Sequence, residues 1–151
     1  MLEFQMIRNI QDAIDLEQSS YPPDEAASID SILTRFNKAA HLQLCGYIGS
    51  ELVAMVMATS TKGIALSWEH EPGSTICIHS LVVKKPFRNK GYAREIMQQY
   101  LRNFNGMKFE KICIIVHSEL IEFYKRFGFV DKGRSAIQHG SSHWNDMVLY
   151  F

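Results

Sequence analysis

The sequence predicts an α/β (α+β) fold of one domain, with a central sheet flanked by helices. Three observations lead there. At 151 residues the chain is long enough to bury a sizeable core without staples, and it is short for two domains. Apolar runs of strand length alternate with runs whose apolar residues recur at helical spacing, in the order β-α-α-β-β-β-α-β-α-β-β. In the middle, Ile76 to Leu101 joins a strand to a helix through a glycine turn.

The elements follow in order. Glu3 to Ile7 alternates as a first strand does, and Asn9 is placed to cap a short helix over Asp12 to Gln18. Ser19 to Pro23 is a loop. A second helix follows it, with Asp24 as the expected N-cap, Glu25 in its first turn and an apolar stripe of Ile29, Ile32, Leu33 and Phe36. Leu42 to Ile48 and Leu52 to Thr59 read as strands joined by a hairpin at Gly49-Ser50-Glu51, and Thr61 to Ser74 as an irregular segment. Ile76 to Val83 is a strand stopped by Pro86. From Ala93, the residues Ile96, Met97, Tyr100 and Leu101 make a helical stripe. Lys111 to Val116 is a strand, and Ser118 is expected to cap a helix over Glu119 to Arg126 that Gly128 ends. Phe129 to Asp131 and His143 to Tyr150 are the last strands, around the loop Gly133 to Ser142.

Composition narrows the function. A hydrophobic content of 46% is that of an ordinary globular protein, and a net charge of zero gives no electrostatic support to a nucleic-acid or anionic-membrane partner. Cys45, Cys77 and Cys113 each sit in an apolar run without metal-ligand spacing, so they read as reduced core thiols and no metal is expected. No signal peptide or membrane-length apolar run is visible, which makes the cytoplasm the default expectation, with the nucleus equally open. Nothing in the sequence specifies an oligomeric state.

The strand, the basic turn Arg88-Asn89-Lys90-Gly91-Tyr92-Ala93 and the following helix together make an anion-binding device. Free backbone N–H groups and the positive end of the helix dipole converge there. Lys84, Lys85 and Arg94 add positive charge suited to a polyphosphate; the alternative is a solvated charged edge. The spacing fits neither Gly-x-x-x-x-Gly-Lys-Ser/Thr nor Gly-x-Gly-x-x-Gly.

Arg88-x-x-Gly91-x-Ala93 after an apolar strand resembles the acetyl-CoA pyrophosphate loop of the GNAT superfamily of N-acetyltransferases. Phe123-Tyr124-Lys125-Arg126-Phe127-Gly128-Phe129, about thirty residues later, resembles a second signature of that superfamily. Tyr21-Pro22-Pro23-Asp24-Glu25-Ala26-Ala27-Ser28, His79-Ser80-Leu81-Val82-Val83 and Gly140-Ser141-Ser142-His143-Trp144 are similar to segments of the arylalkylamine (serotonin) N-acetyltransferase-like family, of the tail-less non-vertebrate type. The resemblance runs from about Ile7 to Met147 and implies a GNAT fold, with residues 1–151 one domain and the sheet mixed and mostly antiparallel.

Acetyl transfer from acetyl-CoA to a small amine needs a route for a proton off an ammonium of pKa about 10, polarisation of the thioester, and an acid near a leaving thiolate of pKa about 8.5. From the residues alone, His79 is either a satisfied core histidine or a functional one, and the Tyr124 aromatic cluster is most simply core. The resemblance implies that His79 serves in proton removal through water, and that Tyr124 is the acid at the thiol, beside the cofactor. It implies that Leu81, Val82 and Val83 meet the pantetheine arm, while Arg88, Asn89, Lys90, Gly91, Tyr92, Ala93 and Arg94 meet the pyrophosphate. Leu81, Ile115 and Trp144 would line the amine slot. Direct attack in a ternary complex is implied, without an acetyl-cysteine.

The chain departs from this family at several points. Cys77 stands at the first position of its His-x-His pair, Ala39-Ala40-His41-Leu42 replaces its Cys-Pro-Glu-Leu, and Ser142 and Trp144 alter its Gly-Ser-Leu-Thr-Phe-like segment. The family's terminal extensions are not seen, so their regulation is not expected. A more polar slot, with Glu69, Glu71 or Asp146 nearby, would suit a polyamine. Two other readings stay open: a GNAT protein acting on lysine or an N-terminus, and an acyl-CoA sensor without catalysis.

Overall fold

The computed structural model describes residues 1–151. Its elements follow the expected order: β1 (Glu3–Gln5), α1 (Ile10–Ser20), α2 (Ile29–Lys38), β2 (Leu44–Ile48), β3 (Glu51–Thr61), β4 (Thr75–Val83), α3 (Tyr92–Phe104), β5 (Lys111–Val116), α4 (Ile121–Lys125), β6 (Val130–Arg134) and β7 (Asn145–Tyr150). The strands form one sheet in the order β1-β2-β3-β4-β5-β7-β6. All neighbours pair antiparallel except β4 and β5, which are parallel and joined through α3 as a crossover of that kind requires.

Each face of the sheet carries its own core. On one, α3 buries Ile96, Met97, Tyr100 and Phe104 against Ala54, Val56, Ile76, Ile112 and Ile114. Leu101 of the expected stripe is only partly buried, and Phe104 takes the inner place. On the other, Ala13, Ile14 and Leu16 of α1 and Ile32 of α2 cover Cys45, Tyr47, Met55, Met57 and Val82. Fully burying one such aliphatic side chain contributes about 1.5–3 kcal/mol, so the strand register is strongly specified on both faces. All three cysteines are buried and free. No helix is long and apolar enough to cross a membrane.

Several boundaries differ from expectation, each for a local reason. Asp24 does not cap α2; Ser28 does, its hydroxyl accepting from Ser31 N, while Asp24 Oδ2 accepts from Ser141 N across the molecule. Ser118 caps nothing, because a 3-10 turn over Ser118–Leu120 precedes α4. Ala40–Leu42 forms another such turn, which delays β2 to Leu44. The final hairpin is shifted: β6 extends to Arg134 through a bulge, and β7 starts at Asn145.

Candidate active site

Two irregularities open the sheet at β4. Against β3, Met57 pairs with Ser80 and Ala58 with Ile78, so His79 is the extra residue of a β-bulge. Against β5, pairing ends at Cys77–Cys113, and the two parallel strands separate beyond it. The β5-facing backbone of Leu81 and Val83 therefore has no strand partner. Their carbonyls accept instead from Tyr21 Oη at 3.2 Å and Arg88 Nε at 2.8 Å. A strand residue turns its N–H to the same side as its carbonyl, so two N–H groups remain for a ligand lying in the split.

One half of the opening is a cleft lined by Leu81, Val83, Arg88, Gly91, Tyr92 and Ala93, with Phe123 and Tyr124 across from them. Gly91, at φ 87°, is the N-cap of α3, and an added Cβ there would meet nothing within 4 Å. The glycine thus serves backbone conformation and leaves space open above the helix end. The first backbone bond of α3 runs from Glu95 N to Gly91 O, and no side chain caps the helix, so the N–H groups of its first turn stay free. Asn89, at φ 62°, shapes the preceding turn. Free N–H groups, a helix dipole and the Arg88 and Arg94 side chains fit a pyrophosphate-bearing cofactor such as acetyl-CoA.

The other half is a chamber lined by His79, Trp68, His139, Trp144, His117 and Glu25, with Ile115 and Glu17 also in its wall. Its aromatic rings form a continuous series. Trp68 stacks on His79 at 4.9 Å and lies 4.8 Å from His139, which lies 5.7 Å from Trp144, which stacks on His117 at 3.9 Å. These rings come from three places: the β3–β4 loop (Trp68), the β6–β7 loop (His139, Trp144), and the region where β4 and β5 splay apart (His79 in β4, His117 just after β5). Glu25 fastens the group, taking His117 Nε2 at 3.0 Å and the Ser142 hydroxyl at 3.1 Å, while its backbone carbonyl lies 2.8 Å from His139 Nε2. Gly140, at φ 64°, lets the β6–β7 loop approach; a Cβ there would stand 2.7 Å from Glu25 Cγ. The chamber and the cleft meet on Leu81, Leu120 and Tyr124.

Burial sets the electrostatics. His79 Nε2 lies 2.8 Å from Thr59 Oγ1, but its Nδ1 is buried with no partner. Desolvation, then the positive charge of Arg35 and the proximity of His139, hold its imidazolium well below the usual histidine range. Tyr124 is buried too, and burial pushes its phenol far up; its hydroxyl makes no protein hydrogen bond. Burial raises Glu17, against bonds from Ala27 N at 2.9 Å and the Ser80 hydroxyl at 2.6 Å and the charge of Arg35. The Cys77 thiol is pushed up to about 11 by burial and accepts from Ser67 N at 3.4 Å.

The expected site residues thus divide. His79, Tyr124, Leu81, Ile115 and Trp144 line the chamber, and Leu81, Val83, Arg88, Asn89, Gly91, Tyr92, Ala93, Arg94 and Tyr124 line the cleft. Val82 does not join them: strand alternation turns it into the opposite core beneath α1, opposite Met55. Lys90 is exposed at the turn without lining the cleft. Cys77 is not in the chamber wall, and its thiol faces the β3–β4 loop. The nearby carboxylates are Glu17 and Glu25 rather than Glu69, Glu71 or Asp146, because α1 packs on β4, where Glu17 bonds Ser80, and the segment after α1 carries Glu25 to His117. Ala40 and His41 line a separate groove with Phe4 and Phe36, away from His79. Trp68, His117 and His139 are site residues that their loop and strand-end positions gave no local signal for; only their residue types, ring-bearing in otherwise polar segments, set them apart. No group of three or more His, Cys, Asp or Glu residues is arranged to hold a metal ion.

Comparison with known proteins gives a family match and a set of fold neighbours. Residues 19–151 match the family model described as an acetyltransferase (GNAT) domain. The serotonin N-acetyltransferase of Mesocricetus auratus is 26% identical over 119 residues, covering 75% of this chain; the chain spans only 58% of that relative's length. The loading GNATL domain of CurA from Lyngbya majuscula superposes with a TM-score of 0.87 at 10% identity, over 99% of this chain and 98% of that one. Arabidopsis thaliana Naa50, in complex with the bisubstrate analogue CoA-Ac-MVNAL, superposes with a TM-score of 0.78 at 16% identity over 99% of both chains. At such identities these structures establish likeness of fold alone.

Proposed function

Because the chain belongs to the GNAT acetyltransferase family, we propose that it transfers the acetyl group of acetyl-CoA to the primary amine of a small arylalkylamine, by direct attack within a ternary complex. The observation that carries this reading is the junction at Tyr124, where the basic cleft and the ring-lined chamber share a wall. Cofactor phosphates held at the start of α3 place an extended arm along Leu81 and Val83, so that its reactive end arrives at that junction. An aryl group packed against the ring series of Trp68, His139 and Trp144 would bring its amine to the same place, with ring stacking worth about 0.5–1.5 kcal/mol beyond area burial.

In this reading each side chain has one task. The N–H groups of Gly91 to Arg94, with Arg88, hold the pyrophosphate, and those of Leu81 and Val83 hold the arm. His79, kept neutral by its surroundings, lines the chamber as a relay for the amine's proton rather than its resting place. Tyr124, whose buried phenol stays protonated at neutral pH, donates to the departing thiolate. Cys77, buried and outside the chamber, takes no part.

Glu17 and Glu25 favour a second substrate class, because carboxylates in the wall would neutralise the additional ammonium of a polyamine. A peptide substrate is less favoured, since the contact between Trp68 and His139 joins two loops at the chamber. Comparing kcat/KM for tryptamine, phenethylamine, spermidine and a short peptide with a free N-terminus tests the ranking. Arylalkylamines are expected first; a peptide in first place would overturn the small-amine reading.

A further inference from the structure

The proton that leaves the amine needs a resting place, and His79 is poorly made to keep it. Its imidazolium is disfavoured by burial and by Arg35, and its second ring nitrogen is sealed without a partner. The chamber holds another imidazole in the opposite circumstances. His117 directly follows β5, its ring lines the same chamber, and its side chain is 27% exposed, giving a path to solvent. Its Nε2 lies 3.0 Å from the Glu25 carboxylate, and its Nδ1 has no protein partner. Trp144, stacked at 3.9 Å, fixes the ring plane. Glu25 is itself held by the Ser142 hydroxyl, and the close approach of Gly140 packs that loop against it.

We propose that His117, oriented and charge-compensated by Glu25, is the base on which the amine's proton comes to rest, directly or by way of His79. This deepens the amine acetyltransferase reading and rests on it. With Nε2–H donated to the carboxylate, Nδ1 carries the lone pair that takes the proton. The ammonium gives one proton to Nδ1, and the freed nitrogen pair forms the N–C bond to the acetyl carbonyl carbon. The C–S bond breaks with its pair on sulfur, and the second nitrogen proton makes good the one that Tyr124 gives the thiolate. The His117 imidazolium then releases its proton to solvent, for a net yield of amide, thiol and one proton. The other ionisable groups around the chamber are Glu17 from α1, Tyr21 before Glu25, His79 from β4, Tyr124 from α4 and His139 from the β6–β7 loop. None of these bonds to His117; Glu25 alone does.

The test is the pH dependence of kcat at saturating arylalkylamine for wild type, His117→Asn and Glu25→Gln, alongside acetyl-CoA affinity. His117→Asn is expected to lower kcat roughly 100-fold and to replace the plateau by a rate that climbs with pH. Glu25→Gln is expected to lower kcat at every pH while KM for the amine and acetyl-CoA affinity stay near wild type, and Glu25→Asp to restore part of the loss. Losses in KM and acetyl-CoA affinity as large as the loss in kcat would make Glu25 a structural residue and overturn its positioning role. Retention of the wild-type profile by His117→Asn, in a protein that turns over amines, overturns this proposal and leaves the acetyltransferase reading standing. Absence of any amine turnover by the wild type overturns both. If the variants fail to hold acetyl-CoA, ring NMR titration of the wild-type histidines decides: one of the six must titrate at the midpoint of the kinetic acid limb, and the lack of such a histidine overturns the assignment.

Discussion

Thr59 Oγ1 lies 2.8 Å from His79 Nε2, a contact made possible because His79 is the extra residue of the β4 bulge. The bulge turns the ring toward Trp68 and leaves its other nitrogen buried and unpartnered. The imidazole is therefore held neutral by the fold itself, and this has a consequence for stability. In the folded chain desolvation keeps its pKa depressed, whereas the unfolded chain takes up the proton as pH falls through about 6.5. The unfolded state then binds more protons, so this histidine removes stability as the solution is acidified below that pH. His79→Ala is expected to lose stability at pH 7 through the vacated space, yet to show a flatter decline of its urea midpoint between about pH 6.5 and 5. An equally steep decline would place the acid sensitivity elsewhere.

Tyr124 separates binding from chemistry. Its ring packs against Phe123 and Phe129, and Tyr124→Phe preserves those contacts while removing the hydroxyl. Steady-state kinetics are expected to show kcat lowered on the order of 100-fold, with the dissociation constant for acetyl-CoA within about twofold of wild type. Equal losses in both would make the hydroxyl a binding group instead.

Gly91 separates conformation from contact. At φ 87°, Gly91→Ala forces a side chain into left-handed backbone at about 1–2 kcal/mol, although nothing crowds its Cβ. Calorimetry is expected to show acetyl-CoA binding weakened by roughly 10-fold, with the unfolding midpoint barely moved, since the strain relaxes by reshaping an exposed turn. Unchanged affinity would argue that the turn does not cradle the phosphates.

Trp68 is the loop residue that bridges His79 and His139. Removing it in Trp68→Ala takes away one aromatic wall without touching the cleft. KM for tryptamine is expected to rise more than KM for spermidine, and acetyl-CoA affinity to stay put. A uniform rise for both amines would assign Trp68 to closing the chamber rather than to reading an aryl group.

Local signals made most of the fold legible. Strand runs such as Ile76 to Val83, the glycine turn at Gly91 and the stripe from Ile96 to Tyr100 depend on neighbours in sequence, and each lies where its pattern put it. The same holds for the cleft, whose lining is almost all one contiguous segment. The chamber was less legible because tertiary contacts override local preference there. Asp24 has the chemistry of a helix cap, but Ser141 N claims its carboxylate from 117 residues away. Glu25 sits in a segment that reads as a first helical turn, and its partners His117 and Ser142 come from the far end of the chain. His79 and Trp144 were legible through family resemblance; Trp68, His117 and His139 were not, since what joins them is ring contact between loops. Val82 shows the reverse error: a motif names three consecutive residues, and alternation along β4 delivers only Leu81 and Val83 to the cleft.

The most direct measurement is release of CoA thiol from acetyl-CoA by the purified protein, with tryptamine or phenethylamine supplied and acetyl-CoA binding measured on the same sample. The account predicts saturable binding of acetyl-CoA together with amine-dependent thiol release and a matching amount of N-acetylated amine. Tight binding of acetyl-CoA with no thiol released by either arylalkylamine, by spermidine or by a peptide would contradict it and leave a cofactor-binding protein without catalysis.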